Sequence, residues 1–290
     1  MDGISATLTS PKSIWMYLLL FLAVVMIASI IANDLYREAF EFLVVGVEIT
    51  LLVAVSAFIL AQLLGLITAL ARVSYAVSQP TSIIGKLLRV VMYNIATFYV
   101  EVVRGIPIIV QLIYMAFVIF PALVSFLNLL GDALATETSL SAFNGLGKSL
   151  AALTIRDMSM EIRAIIGLAI AYGAYEAEVY RAGIESIDKG QMEAARSLGM
   201  SYFQAMRYVI LPQAIRRVLP PIGNDFVAML KDSSLVSVLA VNDLTHKGDL
   251  HRARTFRTFE TWNTVTFLYL IMTIGFSRVV RYLERRLSPE

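Results

Sequence analysis

Residues 13–32, SIWMYLLLFLAVVMIASIIA, form an unbroken run without one charged side chain. As a helix this run reaches about 30 Å, the thickness of a bilayer's hydrocarbon core. Similar apolar stretches follow at 43–71, 89–120, 162–184, 214–240 and 263–283. Each predicts a membrane-spanning helix, six in all. The third contains Pro107, which cannot continue the helical hydrogen-bond ladder, so a kink or break is expected there. Residues 13–32 could also be a signal peptide, since Lys12 precedes them. The run is too long for a typical signal segment and no clean small-residue cleavage site follows, so we read it as a retained helix.

Composition agrees with this reading. Of the residues, 58% are hydrophobic and 16% charged, against about 25% charged in soluble domains. The net charge of +2 gives no case for nucleic-acid binding. There is no cysteine, hence no disulfide or thiolate metal site. His246 and His251 are read as ordinary loop residues rather than a metal pair.

An even number of spans places both termini on one side. Lysine and arginine favour the cytoplasm for that side, with Lys12, Arg72, Lys86, Arg89 and the C-terminal arginines inside. The 241–262 loop, with Lys247, Arg252, Arg254 and Arg257, then lies outside against the trend. Residues 142–149, AFNGLGKS, nearly match the phosphate-binding pattern, but Ala142 stands where its first glycine belongs and no strand precedes it. Nothing else looks like a nucleotide site, so any ATP that drives this protein is bound elsewhere.

One short, partly charged stretch remains between the fourth and fifth spans: QMEAARSLGMSYFQAMRYVILP, 191–212. It could lie on the bilayer, with Met200, Phe203 and Tyr208 dipping in. It could instead be a docking surface. Ala194 and Ala195 allow close approach and Glu193 offers a charged acceptor. Gly199 permits a change of direction at positive φ, and Pro212 is expected to end the helical piece and re-aim the chain. The residues favour docking, because an anchor would carry more lysine, arginine and tryptophan. Gly183 and Gly190 are expected to let the chain turn into this stretch.

Glu193-Ala194-Ala195, Gly199 and Leu211-Pro212 resemble the EAA loop of binding-protein-dependent ABC importer permeases, with Val209 where isoleucine is usual. VEVVRGIPIIVQL (100–112), the stretch from Ala174 to Ala195 and LPPIGNDFVAMLKDSSLVSV (219–238) are similar to the polar-amino-acid branch. The resemblance covers roughly 43–120 and 160–285. It implies an all-α membrane protein in which 43–290 is a five-helix type I importer core with its coupling loop at 190–212. Residues 1–42, with their helix, are an addition. It also implies two ATP-binding cassette subunits, which bind the ATP and magnesium, a second permease subunit, identical or homologous, and an extracytoplasmic binding protein. This chain would hold no cofactor and no catalytic site, and would sit multi-pass in a bacterial inner membrane.

Charges within spans mark candidate function. Asp225 and Asp232 are seven residues apart, close to two helical turns, and so project from nearly one face. Asn224 and Lys231 sit one residue behind. The functional reading is a pocket in which the two aspartates hold an amino acid's ammonium and Arg104 its carboxylate. The structural reading is a bundle-holding network that pairs Lys231 with Glu178 and Arg104 with Asp225. Glu101–Arg104 and Glu178–Arg181, each three residues apart, read as local ion pairs. Trp15, Trp262 and Tyr282 read as interfacial anchors. A secondary transporter or channel is disfavoured because no internal repeat is visible. A membrane enzyme is disfavoured because no Ser/His/Asp set lies in the spans.

Overall fold

A computed structural model describes residues 11–77, 82–137 and 141–287. Every regular element among them is helical. Five helices are long and apolar enough to cross a membrane: Ile14–Ala32, Asp34–Val73, Ile83–Arg104, Ile108–Ala135 and Thr258–Arg286. The chain divides into two compact units, Met1–Thr50 with Asn242–Gly275, and Leu51–Val241 with Phe276–Glu290.

In the first unit α1 (Pro11–Ala32) has no residue buried within the chain from Ile14 on. Most of its described surface is free for lipid or another subunit. The helix α2 (Asp34–Val77) starts where the Asn33 side chain accepts from Leu35 N–H at 2.9 Å. The polar 241–262 segment is not a simple loop. It forms α11 (Leu244–Thr255), started by Asp243, whose carboxylate accepts from Thr245 and His246 N–H. α2 and α11 meet at Gly46, where an added Cβ would come 2.8 Å from Leu244 Cα. Thr50 Oγ1 accepts from Leu244 N–H at 3.0 Å. His251 is buried on this helix, 2.7 Å from the Thr261 hydroxyl, and burial lowers its pKa, favouring the neutral ring. It is a core residue rather than a loop residue, and among the described residues no group of side chains could hold a metal ion.

Phe256, which follows α11, has φ of 58° and is 88% exposed. The left-handed conformation strains any side chain with a Cβ and suits glycine. Phe256→Gly is therefore expected to stabilise the protein by about 1 kcal/mol, read as a higher melting temperature in detergent.

The second unit is built around α7 (Met160–Glu185). Small buried residues along it, including Ala164, Gly167, Ala171, Gly173 and Ala177, let neighbouring backbones approach closely. Gly173 meets the Tyr99 hydroxyl and Leu64 Cβ, and Gly167 meets Leu112. Tyr99 O–H donates to Ile170 O at 2.6 Å. Gly183 lies inside α7 against Val218 and does not turn the chain; residues 186–188 make that turn.

The expected third span is divided. α3 (Ile83–Arg104) stops before Gly105–Pro107, and α4 (Ile108–Tyr114) continues through a wide π turn at Met115–Ile119 into α5 (Phe120–Glu137). Pro107 has no N–H to give, so carbonyls at the break lose their helical donors. Buried Gln111 replaces them: its Nε2 donates to Val103 O and Ile106 O, both at 2.7 Å. Irregular backbone is tolerated at membrane depth only when satisfied in this way. α5 packs on α6 (Ser141–Ala151), with Gly131 and Gly147 at the contact. The AFNGLGKS segment is thus helical, and its Gly147 serves close helix packing instead of cradling phosphate.

The fifth expected span, 214–240, is a helix only in part. α10 (Leu211–Asp232) gives way to a tighter 3-10 turn at Ser233–Leu239, ended by left-handed Ala240. α12 (Thr258–Leu287) completes the chain. The Phe226 ring of α10 is flanked by Phe58 and Phe276, with centroids 5.0 and 5.1 Å away.

Candidate functional site

The segment following α7 folds as a separately capped helix. Asp188 accepts from Gly190 N–H at 2.6 Å and opens α8 (Lys189–Ser197), so Gly190 belongs to the first turn of that helix. At the other end Gly199 has φ of +83°. Gly199 N–H donates to Arg196 O at 3.0 Å and Met200 N–H to Ala195 O at 3.2 Å. This pair of bonds is the Schellman ending, in which a residue without Cβ reverses the chain. Ser201 then opens α9 (Tyr202–Ala205) through a reciprocal cap with Gln204.

Pro212 does not end this piece. A π turn at Met206–Ile210, with Leu211 N–H donating to Met206 O, carries the helix into α10 with proline in its first turn. Proline cannot supply the N–H that a regular α-helical ladder needs at this position, and the ladder changes register in the π turn just before it. The π turn before Pro121 solves the same problem in α5.

α8 is fixed from below. Ala195 is 3% exposed. Ile187, Ile210 and Ala214 form a buried cluster with Ile184, Met192, Met206 and Val209 against it. Gln213 donates to Gln191 at 3.3 Å, and Arg217 to the Ser186 carbonyl. Glu193, Ala194, Ser197 and Leu198 remain exposed on the outer face. The helix is thus bonded to the end of α7 and the start of α10, and presents a small-residue face with one acid.

The charged residues of α3, α7 and α10 fall into two groups. Asp232 accepts from the Tyr172 hydroxyl at 2.8 Å, and Asp225 is half-buried two turns earlier on the same helix. Asn224 and Lys231 are exposed on the neighbouring flank. Arg104 stands apart from both aspartates. Its guanidinium lies over the Tyr175 ring, 5.5 Å from the centroid, and 3.9 Å from Glu178. The tyrosine rings join the groups, with Tyr172 and Tyr175 6.2 Å apart.

The hub that sequence spacing missed is Glu178. It accepts from Arg72 of α2 at 2.7 Å and from Arg181 at 2.9 Å, with Arg104 nearby. Arg181 also reaches Glu185. Glu178–Arg181 is therefore a local pair, as expected. Arg104 pairs with Glu178 and not with Glu101 or Asp225, and Glu178 takes three arginines and not Lys231.

A model of the binding-protein-dependent transport system inner membrane component family matches residues 79–289. The chain belongs to that family. The permease is 34% identical over 251 residues to the probable amino-acid permease protein YxeN of Bacillus subtilis, covering 87% of this chain and 93% of that protein. It is 36% identical over 195 residues to the glutamine transport system permease protein GlnP of Escherichia coli, covering 67% and 75%. A crystal structure of an amino acid ABC transporter with histidines superposes with a TM-score of 0.63 at 34% identity, over 86% of this chain and 96% of that one. An inward-facing MetNI methionine ABC transporter shares the fold, with a TM-score of 0.58 at 20% identity. Membership makes the permease a multi-pass membrane component that works with an ATP-hydrolysing partner and a substrate-binding partner.

Proposed function

We propose that this permease is the membrane-spanning subunit of an ATP-driven importer for polar amino acids delivered by an extracytoplasmic binding protein. The observation that carries the reading is α8, a helix capped at both ends whose exposed face holds Glu193 and Ala194. The names of its relatives, an amino-acid permease and a glutamine permease, support the substrate class.

In this reading Glu193, Ala194, Ala195, Gly199, Leu211 and Pro212 form the docking element for a pair of ATP-binding cassette subunits. ATP and magnesium sit in those subunits, and this chain performs no bond chemistry. A second permease, identical or homologous, completes the pathway, and both termini lie in the cytoplasm. When the ATPase subunits close on ATP they move α8. The cluster of Ile187, Ile210 and Ala214 ties α8 to α7 and α10, so the helices that carry Tyr172, Asp225 and Asp232 move with it. ATP can drive the change only through different affinity of the ATPase pair for the two states.

Asp225 and Asp232 hold the substrate's ammonium. Arg104, stacked on Tyr175, offers a cation for its carboxylate, while Asn224 and Lys231 border the site. Uptake of labelled amino acid by cells expressing the complete operon tests this. Asp225→Asn with Asp232→Asn is expected to lower transport about 100-fold or more, since each unit of lost ammonium pairing is worth roughly 1.5–3 kcal/mol. Normal uptake and affinity in the double variant would remove the two aspartates from the pathway.

A further inference from the structure

The last span, α12, ends in a basic stripe. Residues 261–277 carry no charge and reach about 25 Å as a helix, close to the thickness of the hydrocarbon core. Arg278 therefore stands at the edge of the core, and Arg281 and Arg285 lie at headgroup depth. Phe276 and Val280 mark the inner face of this helix end. The Phe276 ring meets Phe226 of α10, and a Cβ added at Gly223 would come 2.4 Å from Val280 Cγ1. Arg278, Arg281 and Arg285 recur at intervals of three and four residues, so they share the far face, where all three are exposed.

These three arginines and Tyr282 line a cavity of about 260 Å³. Arg286 lies over the Tyr282 ring, 5.2 Å from its centroid, and brings a fourth cation beside it. Among the described residues no carboxylate pairs with Arg278, Arg281 or Arg285, although Glu284 is on the same helix. Arg281 Nε donates to the Ser277 carbonyl of its own helix at 3.2 Å, which leaves its charge unbalanced. Guanidinium groups present planar N–H forks that match phosphate oxygens two at a time. Val279, exposed beside Arg278, begins the apolar surface of the span. A molecule that joins a phosphate to hydrocarbon satisfies both features, whereas a soluble phosphate satisfies only the first.

We propose that Arg278, Arg281 and Arg285 hold the phosphate headgroup of one anionic phospholipid at the end of α12. The inference depends neither on the aspartate pair nor on the docking role of α8. The bound headgroup balances the stripe and fixes the end of α12 where it packs on α10.

The test is native mass spectrometry of the complete permease–ATPase complex, purified in detergent and titrated with phosphatidylglycerol or phosphatidylcholine. The expected result is phosphatidylglycerol retained about ten-fold or more tightly than phosphatidylcholine, since each arginine at an anionic headgroup is worth about five-fold. Arg278→Gln with Arg281→Gln and Arg285→Gln brings the two lipids within about three-fold. Arg281→Gln alone weakens phosphatidylglycerol about five-fold, and carries the test if the triple variant does not fold, as judged by its melting temperature. Lys247→Gln with Arg252→Gln and Arg254→Gln removes the same charge from α11 and leaves the preference intact. Excess inorganic phosphate leaves the lipid bound. Equal retention of the two lipids overturns the inference, and is the result if an ATPase surface covers the arginines instead. So does a preference that survives the triple variant or is undiminished in Arg281→Gln. A preference lost equally in the α11 variant would assign it to net charge, and displacement by inorganic phosphate would make the free anion the ligand; either result overturns the inference.

Discussion

Glu178→Leu is expected to destabilise the permease by about 2–3 kcal/mol, the largest loss of stability we anticipate from a single polar substitution. The reason is local charge balance. Three guanidinium groups converge on this carboxylate, from α2, α3 and α7. The Arg72 side chain is 11% exposed and that of Glu178 27%. Removing one partner of a buried ion pair strands the other, at about 3–5 kcal/mol when fully buried. The partial exposure of Glu178 lowers that figure. Arg181 retains Glu185, and Arg104 retains the Tyr175 ring and solvent. Arg72 has no second carboxylate partner among the described residues, which makes it the source of most of the loss. Melting in detergent measures the effect. Adding Arg72→Met to Glu178→Leu should restore more than half of it, because the stranded charge is then gone. A Glu178→Leu protein that melts with the unaltered one would show that the cluster does not hold α2, α3 and α7 together.

The second large effect concerns coupling and leaves the fold intact. Ala194 is exposed on α8 while its neighbour Ala195 is buried. Tryptophan at 194 therefore meets only what docks on the helix. Ala194→Trp is expected to leave the melting temperature unchanged and to lower substrate-dependent uptake about ten-fold or more, the equivalent of roughly 1.4 kcal/mol lost at the interface. Copurification of the ATPase with the tagged permease should fall in parallel. Unchanged uptake and copurification would return α8 to the role of a helix resting on the bilayer.

The outcome for individual residues shows how far sequence reasoning reaches. Gly199 was legible because its demand is local: a chain that must reverse after a short helix needs a residue free to take positive φ, and φ is +83°. The helices at 13–32, 43–71 and 263–283 were legible because continuous apolar runs of membrane length have few other uses, whereas 162–184 and 214–240 are not among the five described helices apolar enough to cross a membrane. Pro107 announced a break, but not that Gln111, four residues on, would satisfy the carbonyls it exposes. Glutamine in an otherwise apolar helix just past a proline was the available signal. Pro212 misled in the opposite sense, since a π turn let the helix pass through it. The polar 241–262 segment hides a helix because its stability comes from Asp243 and from backbone contact at Gly46, two hundred residues away.

The charged residues show the same limit more sharply. Spacing identifies partners three or four apart on one helix, and Glu178–Arg181 was found that way. It cannot find Arg72, more than one hundred residues earlier, nor show that Arg104 turns toward Glu178 and away from Asp225. Glu176, two residues before Glu178, is fully buried with Gly65 of α2 packed against it, a placement that spacing along one helix does not show.

The central claim is that α8 faces the cytoplasm and docks the ATPase, and the absence of cysteine gives direct access to it. Ser197 is exposed at the end of α8, beside Glu193 and Ala194. Ser197→Cys is placed in the otherwise unchanged chain in native membranes, with and without its ATPase. Labelling by a membrane-impermeant maleimide is then measured from each side. The account predicts labelling from the cytoplasmic side alone, blocked when the ATPase is present. Labelling from the outer side, or cytoplasmic labelling that the ATPase never blocks, would contradict it.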